Sequence, residues 1–294
     1  MFEYSVSEID ERYIFKVFGV SSMRHPKNHS IMYLTPKNLD EAIGITQCKN
    51  CLIFVPHENL VTLDYEGFNH CIIASDNPRL DYSRLVNSII DKADPSQASN
   101  YDVINGSYIS QYAQIGANVI IEPFCVIDRN VSIGNNTIIK SGVRISGPVA
   151  IGCNCIIREN CMIGSEGFGF VKDSQKANVR FPFLGSVEIQ DNVEIGTLCN
   201  IARAEADKTI LEVGVKLDAF TFIAHDALIG KNSLLVGAKV GGHVTIGQNV
   251  WVGFNATIKQ RIIVGDNALI GLGAAVVKNV PPGAVVAGNP ARLL

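Results

Sequence analysis

The chain has 294 residues, room for two domains, and its 25 basic and 28 acidic side chains leave a net charge of −3, which gives no electrostatic reason to expect nucleic acid. Although 47% of the residues are hydrophobic, no run reaches the ~18 apolar residues that would read as a membrane span. The charged opening from Met1 to Tyr13 lacks a signal-peptide core, so a cytoplasmic protein is expected.

Residues 1–100 read as a small α/β domain. Ile31 to Leu34 and Cys51 to Val55 are short apolar runs of the buried-strand kind. Pro36 precedes a helix over Leu39 to Ile45. Asn77-Pro78 opens a second helix running through Ile90, with Leu85, Val86, Ile89 and Ile90 apolar. Asp94-Pro95-Ser96 is the expected junction. Cys48 and Cys51 form a lone CxxC; a zinc site usually adds a second ligand pair, so no metal is assigned to it.

From Ile109 to Ile163 every sixth residue is isoleucine. A strict period of six fits neither an α-helix nor a plain strand. It fits a parallel β-helix with triangular coils, in which each hexad is one short strand and one corner. Isoleucine points inward. Four positions on sits a small inward residue such as Ala113, Val119, Cys125, Val143, Cys155 or Cys161. Gly and Asn relieve the corners, where positive φ is often needed. Cys125, Cys155, Cys161 and Cys199 therefore read as packed thiols rather than disulfide partners.

The phase resumes at Ile189, Ile195 and Ile201 and continues through Leu211, Leu217, Ile223, Ile229 and Leu235. After a one-residue contraction it runs from Val240 to Val276. Residues 101–294 form this second domain, about nine coils at ~4.8 Å each. It is interrupted by an ejected loop over 165–185 and a shorter break from Arg203 to Thr209. The fold class is thus mainly β. By resemblance to hexapeptide-repeat proteins, the winding is left-handed, against the usual right-handed crossover.

Longer motifs carry a resemblance to a family. Ile31-Met32-Tyr33-Leu34 with Pro36-Lys37, then Asn77-Pro78-Arg79-Leu80, then Ile163 to Phe170 (with its Gly-Phe-Gly-Phe), follow one another. Val193-Glu194-Ile195-Gly196, Val215-Lys216-Leu217-Asp218 and Ile223-Ala224-His225-Asp226 complete the series. In this order they resemble the UDP-3-O-acylglucosamine N-acyltransferases of lipid A synthesis and relatives that acylate amino sugars of surface polysaccharides. The chain departs from the pattern in four places. It reads Asn200-Ile201-Ala202-Arg203-Ala204 where the family has Thr-Ile-Asp-Arg-Gly. Asn38 stands where the family has a uracil-stacking Tyr, and Asp226 where Asn follows the histidine. The ending from Val280 to Arg292 looks like that of coenzyme A-dependent sugar acetyltransferases, without the family's helical extension.

These departures favour an N-acetyltransferase using acetyl-CoA or another short acyl-CoA, with no metal. Its acceptor is the amine of a nucleotide-linked amino sugar for O-antigen-type polysaccharide. A homotrimer is expected, with sites between neighbouring prisms, and the small N-terminal domain is a candidate nucleotide binder. The resemblance gives His225 as the general base, since the family's base lies in this motif and imidazole titrates near neutrality. Asp218 is its expected orienting carboxylate. The contraction makes Gly242 the closest stack on His225, and a glycine amide there, or that of His243, could receive the oxyanion. Phe168, Phe170, Asp226 and the His243 side chain are candidate acceptor or acyl contacts. Gly271, Gly273 and Ala274 are the candidate edge for pantetheine, and Lys278 and Arg292 the candidate phosphate partners. Two alternatives stay open: the lipid A enzyme itself with acyl carrier protein as donor, and a hexapeptide metalloenzyme or non-catalytic scaffold. The metalloenzyme would want three histidines, and the repeat region has only His225 and His243.

Overall fold

The computed structural model describes residues 2–36, 39–60, 67–92 and 100–293. Lys37, Asn38 and the expected junction at Asp94-Pro95-Ser96 lie outside the described residues. Two compact units emerge: Met1–Gln97 together with Phe168–Leu184, and Ala98–Gly167 together with Gly185–Leu294. Most of the ejected loop thus belongs to the N-terminal unit, a departure from the two-domain reading that left it with the β-helix.

The N-terminal unit is built on a four-stranded parallel sheet, Gly19–Val20, Ser30–Tyr33, Leu52–Pro56 and Cys71–Ser75. All five residues of Leu52–Pro56 are buried, as a central parallel strand requires. The helix Pro78–Asp91 starts with proline in its first turn and Asn77 as its cap, whose Oδ1 accepts from Leu80 N–H at 3.2 Å. The segment Leu39–Gln47 winds as a 3-10 helix. The loop residues 168–184 add a hairpin, Phe170–Lys172 with Asn178–Arg180. Phe181 and Phe183 are fully buried in this unit. Phe181 stacks on Tyr82 at 5.7 Å between centroids, and the Arg79 guanidinium lies over its ring, 4.4 Å from the centroid. These phenylalanines therefore pack the loop within the α/β unit.

The second unit is a parallel β-helix whose three faces carry ten, ten and eight strands. Registers run straight up each face: Ile127 on Ile145, Ile163, Ile201, Ile223, Val240, Ile258 and Val276. All of these are buried, so one continuous apolar column fills the interior. The small inward cysteines are free thiols that turn their Sγ to backbone carbonyls. Cys125 reaches Lys140 O at 3.1 Å, Cys155 reaches Gln190 O at 3.1 Å, Cys161 reaches Gly196 O at 2.9 Å and Cys199 reaches Asp218 O at 3.2 Å.

Each of the three corners has its own chemistry, because each needs one residue per coil at positive φ. One is an asparagine ladder, with Asn118, Asn136, Asn154, Asn192, Asn232, Asn249 and Asn267 at that position. Asn118 Nδ2 donates to Asn136 Oδ1 at 3.1 Å. The second stacks Phe124, Gly142, Asn160, Leu198, Phe220, Gly237, Asn255 and Gly273, all at positive φ. The third carries Asn130, then the ejected loop, then Asp226, His243 and Arg261.

Candidate functional site

The third corner gathers His225, Asp226 and His243, the side chains of the candidate site. Phe222–Ile223 buries Ile223 and ends in Ala224-His225-Asp226 before Ala227 turns inward again. Asp226 adopts φ +57°, which a short polar side chain tolerates. Its carboxylate then lies beside the imidazole: His225 Nδ1 bonds Asp226 Oδ2 at 2.9 Å. That bond assigns the proton to Nδ1 and leaves Nε2 as the lone-pair nitrogen. Asp226 is itself fixed, since its N–H donates to Thr209 Oγ1 at 2.9 Å and its Oδ2 accepts from Glu205 N–H at 3.0 Å.

Ile223 pairs with Val240, seventeen positions on, so the short coil sets Gly242 over His225. A Cβ on Gly242 would come within 2.8 Å of Nε2 and Cε1; only glycine lets the backbone approach the ring this closely. The two expected amide donors differ. The His243 N–H is spent on His225 O at 3.0 Å. The Gly242 N–H makes no hydrogen bond among the described residues, while its carbonyl accepts from Arg261 N–H at 2.9 Å. His243 stacks on Asp226 in the next coil; its ring meets that of His225 edge-on at 5.2 Å, and its Nε2 lies 3.9 Å from Asp226 Oδ2.

One member of this cluster had no assigned role at the level of sequence. Ile201 pairs with Ile223, twenty-two positions on, against eighteen for a regular coil such as Ile127 to Ile145. The extra residues bulge out between Asn200–Ala202 and Lys208–Leu211. They deliver Glu205, whose carboxylate comes within 4.8 Å of the ring nitrogens of His225 and His243, close enough for the three groups to share one small cation. The break at Arg203 to Thr209 was the signal. In the same bulge Arg203 bonds Glu166 at 2.7 Å.

Other expected residues fall elsewhere. Asp218 is exposed at the second corner, one corner away from His225, and the structure does not bring them together within the chain; Asp226 occupies the orienting position instead. The seven-residue spacing crosses a full strand, which turns the side chain to another edge. Gly271, Gly273 and Ala274 also lie at the second corner, and Ala274, 1% exposed, points its methyl into the core, so it cannot line a groove. Lys278 does stack on the His225 edge through Gln260 and Gly242, three coils up, about 14 Å at ~4.8 Å per coil. Arg292 is exposed on the last strand, Arg292–Leu293, paired to Val285–Ala287. Phe168, 89% exposed, and Phe170 contact each other at 5.1 Å in the N-terminal unit. In that unit Cys48, Cys51 and His70 also cluster. Both His70 nitrogens are already engaged, Nδ1 by Cys51 N–H at 3.1 Å and Nε2 by Ile45 O at 2.9 Å.

Comparison with known proteins adds three findings. The bacterial transferase hexapeptide (six repeats) family matches residues 112–147 and brings the left-handed winding with it. A UDP-3-O-acylglucosamine N-acyltransferase of Campylobacter lari is 31% identical over 286 residues, 95% of this chain and 88% of that protein. Another, from Sulfurimonas denitrificans, is 41% identical over 92 residues; there the match spans only 29% of the relative's length and 31% of this chain. Among solved structures, the Francisella novicida UDP-N-acetylglucosamine acyltransferase superposes with a TM-score of 0.58 at 28% identity, covering 66% of this chain and 70% of that one.

These findings correct two expectations. The reading as an acetyl-CoA-dependent N-acetyltransferase of O-antigen sugars is overturned by relatives that are N-acyltransferases of UDP-3-O-acylglucosamine, one of them matched along nearly its whole length. The short acyl-CoA co-substrate falls with it, because it rested on the chain's ending, and that ending did not separate this protein from them. The acyltransferase assignment stands.

Proposed function

Since this chain belongs to the UDP-3-O-acylglucosamine N-acyltransferase family, we propose that it transfers an acyl group from acyl carrier protein to the sugar amine of UDP-3-O-acylglucosamine, a cytoplasmic step of lipid A synthesis. The match along 95% of the chain carries the reading, and the His225 corner supports it with chemistry. His225 Nε2 takes the amine proton as nitrogen attacks the thioester carbonyl. Asp226 on Nδ1 stabilises the imidazolium that forms. The Gly242 N–H donates to the developing oxyanion. Thiolate leaves without strong acid assistance, so no nucleophilic Ser or Cys is required. Lys278, three coils up on the same edge, is proposed to meet a phosphate of the carrier arm.

The working unit is proposed as a homotrimer. Phe220 and Leu198 hold positive φ with their side chains largely exposed at the second corner, where Phe254 and Leu272 are exposed too. Such a patch reads as an interface. In a trimer, that corner of a neighbouring copy, with Asp218, would face the His225 edge. The nucleotide is assigned to the N-terminal unit.

The test is acyl transfer to UDP-3-O-acylglucosamine from 3-hydroxyacyl carrier protein, set beside acetyl-CoA. Turnover with the carrier protein is the expected result. Turnover with acetyl-CoA alone would overturn the donor, and no acylation of this acceptor by either would overturn the function.

A further inference from the structure

The four-residue bulge asks what Glu205 is for. Its carboxylate, the two imidazoles and Asp226 form one cluster on a partly buried edge. Amide formation from an ammonium acceptor releases one proton more than ester formation from a hydroxyl. A hydroxyl acceptor sheds one proton. A sugar amine near neutral pH arrives as R–NH₃⁺ and must shed two, one before its lone pair exists and one as the C–N bond forms.

Resting on the function proposed above, we propose that Glu205 with His243 receives the acceptor as its ammonium ion and takes the first of these two protons, leaving the second to His225. The ammonium sits among the Glu205 carboxylate and the two ring nitrogens, which lie within 4.8 Å of one another. One N–H⁺ proton passes to His243 and on to solvent. The freed lone pair attacks the thioester carbon, the second proton goes to His225 Nε2, the C–S bond breaks, and that proton ends on the departing thiol. The products are amide, thiol and one H⁺, which balances R–NH₃⁺ plus thioester. Glu205 supplies charge, and is thereby the residue that selects an amine over a hydroxyl acceptor. The charged groups of the described residues nearest this cluster on the edge include Arg203, drawn aside to Glu166 at 2.7 Å, and Asp207, Arg261 and, further along, Lys278.

The test compares kcat/KM of the wild type, Glu205→Gln and His243→Gln on UDP-3-O-acylglucosamine at about pH 6.5 and about pH 9. These values bracket the ~7.7–8.0 at which an amine beside electron-withdrawing groups ionises. Both variants are expected to lose about tenfold or more at the lower pH, and to come within about twofold of wild type at the higher one, where the acceptor is already neutral. A hydroxyl analogue of the acceptor should show no such pH-dependent loss. Equal losses at both pH values, or none at either, would overturn the ammonium site while leaving the acyltransferase function intact. A wild type inactive on this acceptor at both pH values would overturn both. If Glu205→Gln fails to fold, His243→Gln on the neighbouring coil decides alone.

Discussion

At the scale of single residues, the candidate site is a histidine made directional by its neighbour in sequence. Asp226 can hold His225 Nδ1 only because the corner turns residue 226 to positive φ. His225→Ala should leave the circular dichroism spectrum and the assembly mass unchanged and remove acyl transfer by about 10²–10⁴-fold, the usual contribution of a general base. Full activity in that variant would remove His225 from the mechanism. Asp226→Asn keeps the corner, since asparagine favours this backbone, yet loses the charge that steadies the imidazolium. It should lower kcat on the order of 100-fold with KM little changed, which steady-state kinetics would show. His225 and Gly242 were legible in the sequence, because the motif and the coil contraction are both countable. Asp226 was named as a substrate contact and Asp218 as the orienting group, because counting along a coil gives the rung and not the edge a side chain turns to. Glu205 was visible only as a break in phase, since no period says what an insertion delivers.

At the scale of elements, two-residue strands have little stability of their own and depend on the stack. Ile201 is fully buried between Ile163 and Ile223. Ile201→Ala should cost about 2–5 kcal/mol, the range for a truncated core isoleucine, measured by denaturant unfolding. Polar pairs on the faces contribute less. The Lys208 ammonium at 2.6 Å, and Gln190 after it, hold the Glu188 carboxyl below the usual carboxylate range. A depressed folded value adds stability above the unfolded value of about 4.3 and loses it as pH falls through the folded one. Glu188→Gln should therefore destabilise the protein at neutral pH by under about 1 kcal/mol, and the difference should vanish once the pH has fallen through the folded value. A deficit that persists in acid would point to lost packing instead. The hexad period made these stacks readable in advance, down to which cysteines face inward. It could not show that residues 168–184 join the other unit, because that depends on Phe181 finding Tyr82 and Arg79, contacts far apart in sequence.

At the scale of the whole molecule, the proposed trimer makes the second corner a place where the stability of one chain is set against assembly. Asparagine or glycine fills the positive-φ position at most coils, but Phe220 stands there 62% exposed. A bulky residue in the left-handed region costs about 1–2 kcal/mol. Phe220→Asn should raise the unfolding free energy of the separated chain by about 1 kcal/mol and shift sedimentation toward smaller species. A variant that assembles as well as wild type would remove this corner from the interface. The inward thiols have a different consequence. In a solenoid each coil touches only its neighbours, so opening can proceed from an end without melting the middle. Cys125, Cys155, Cys161 and Cys199 are sealed at successive depths from one end, each with its Sγ on a backbone carbonyl. Their alkylation rates thus form a built-in ruler of fraying: if the N-terminal coils peel first, Cys125 is labelled ahead of Cys199, and if the prism opens all at once, the four react together.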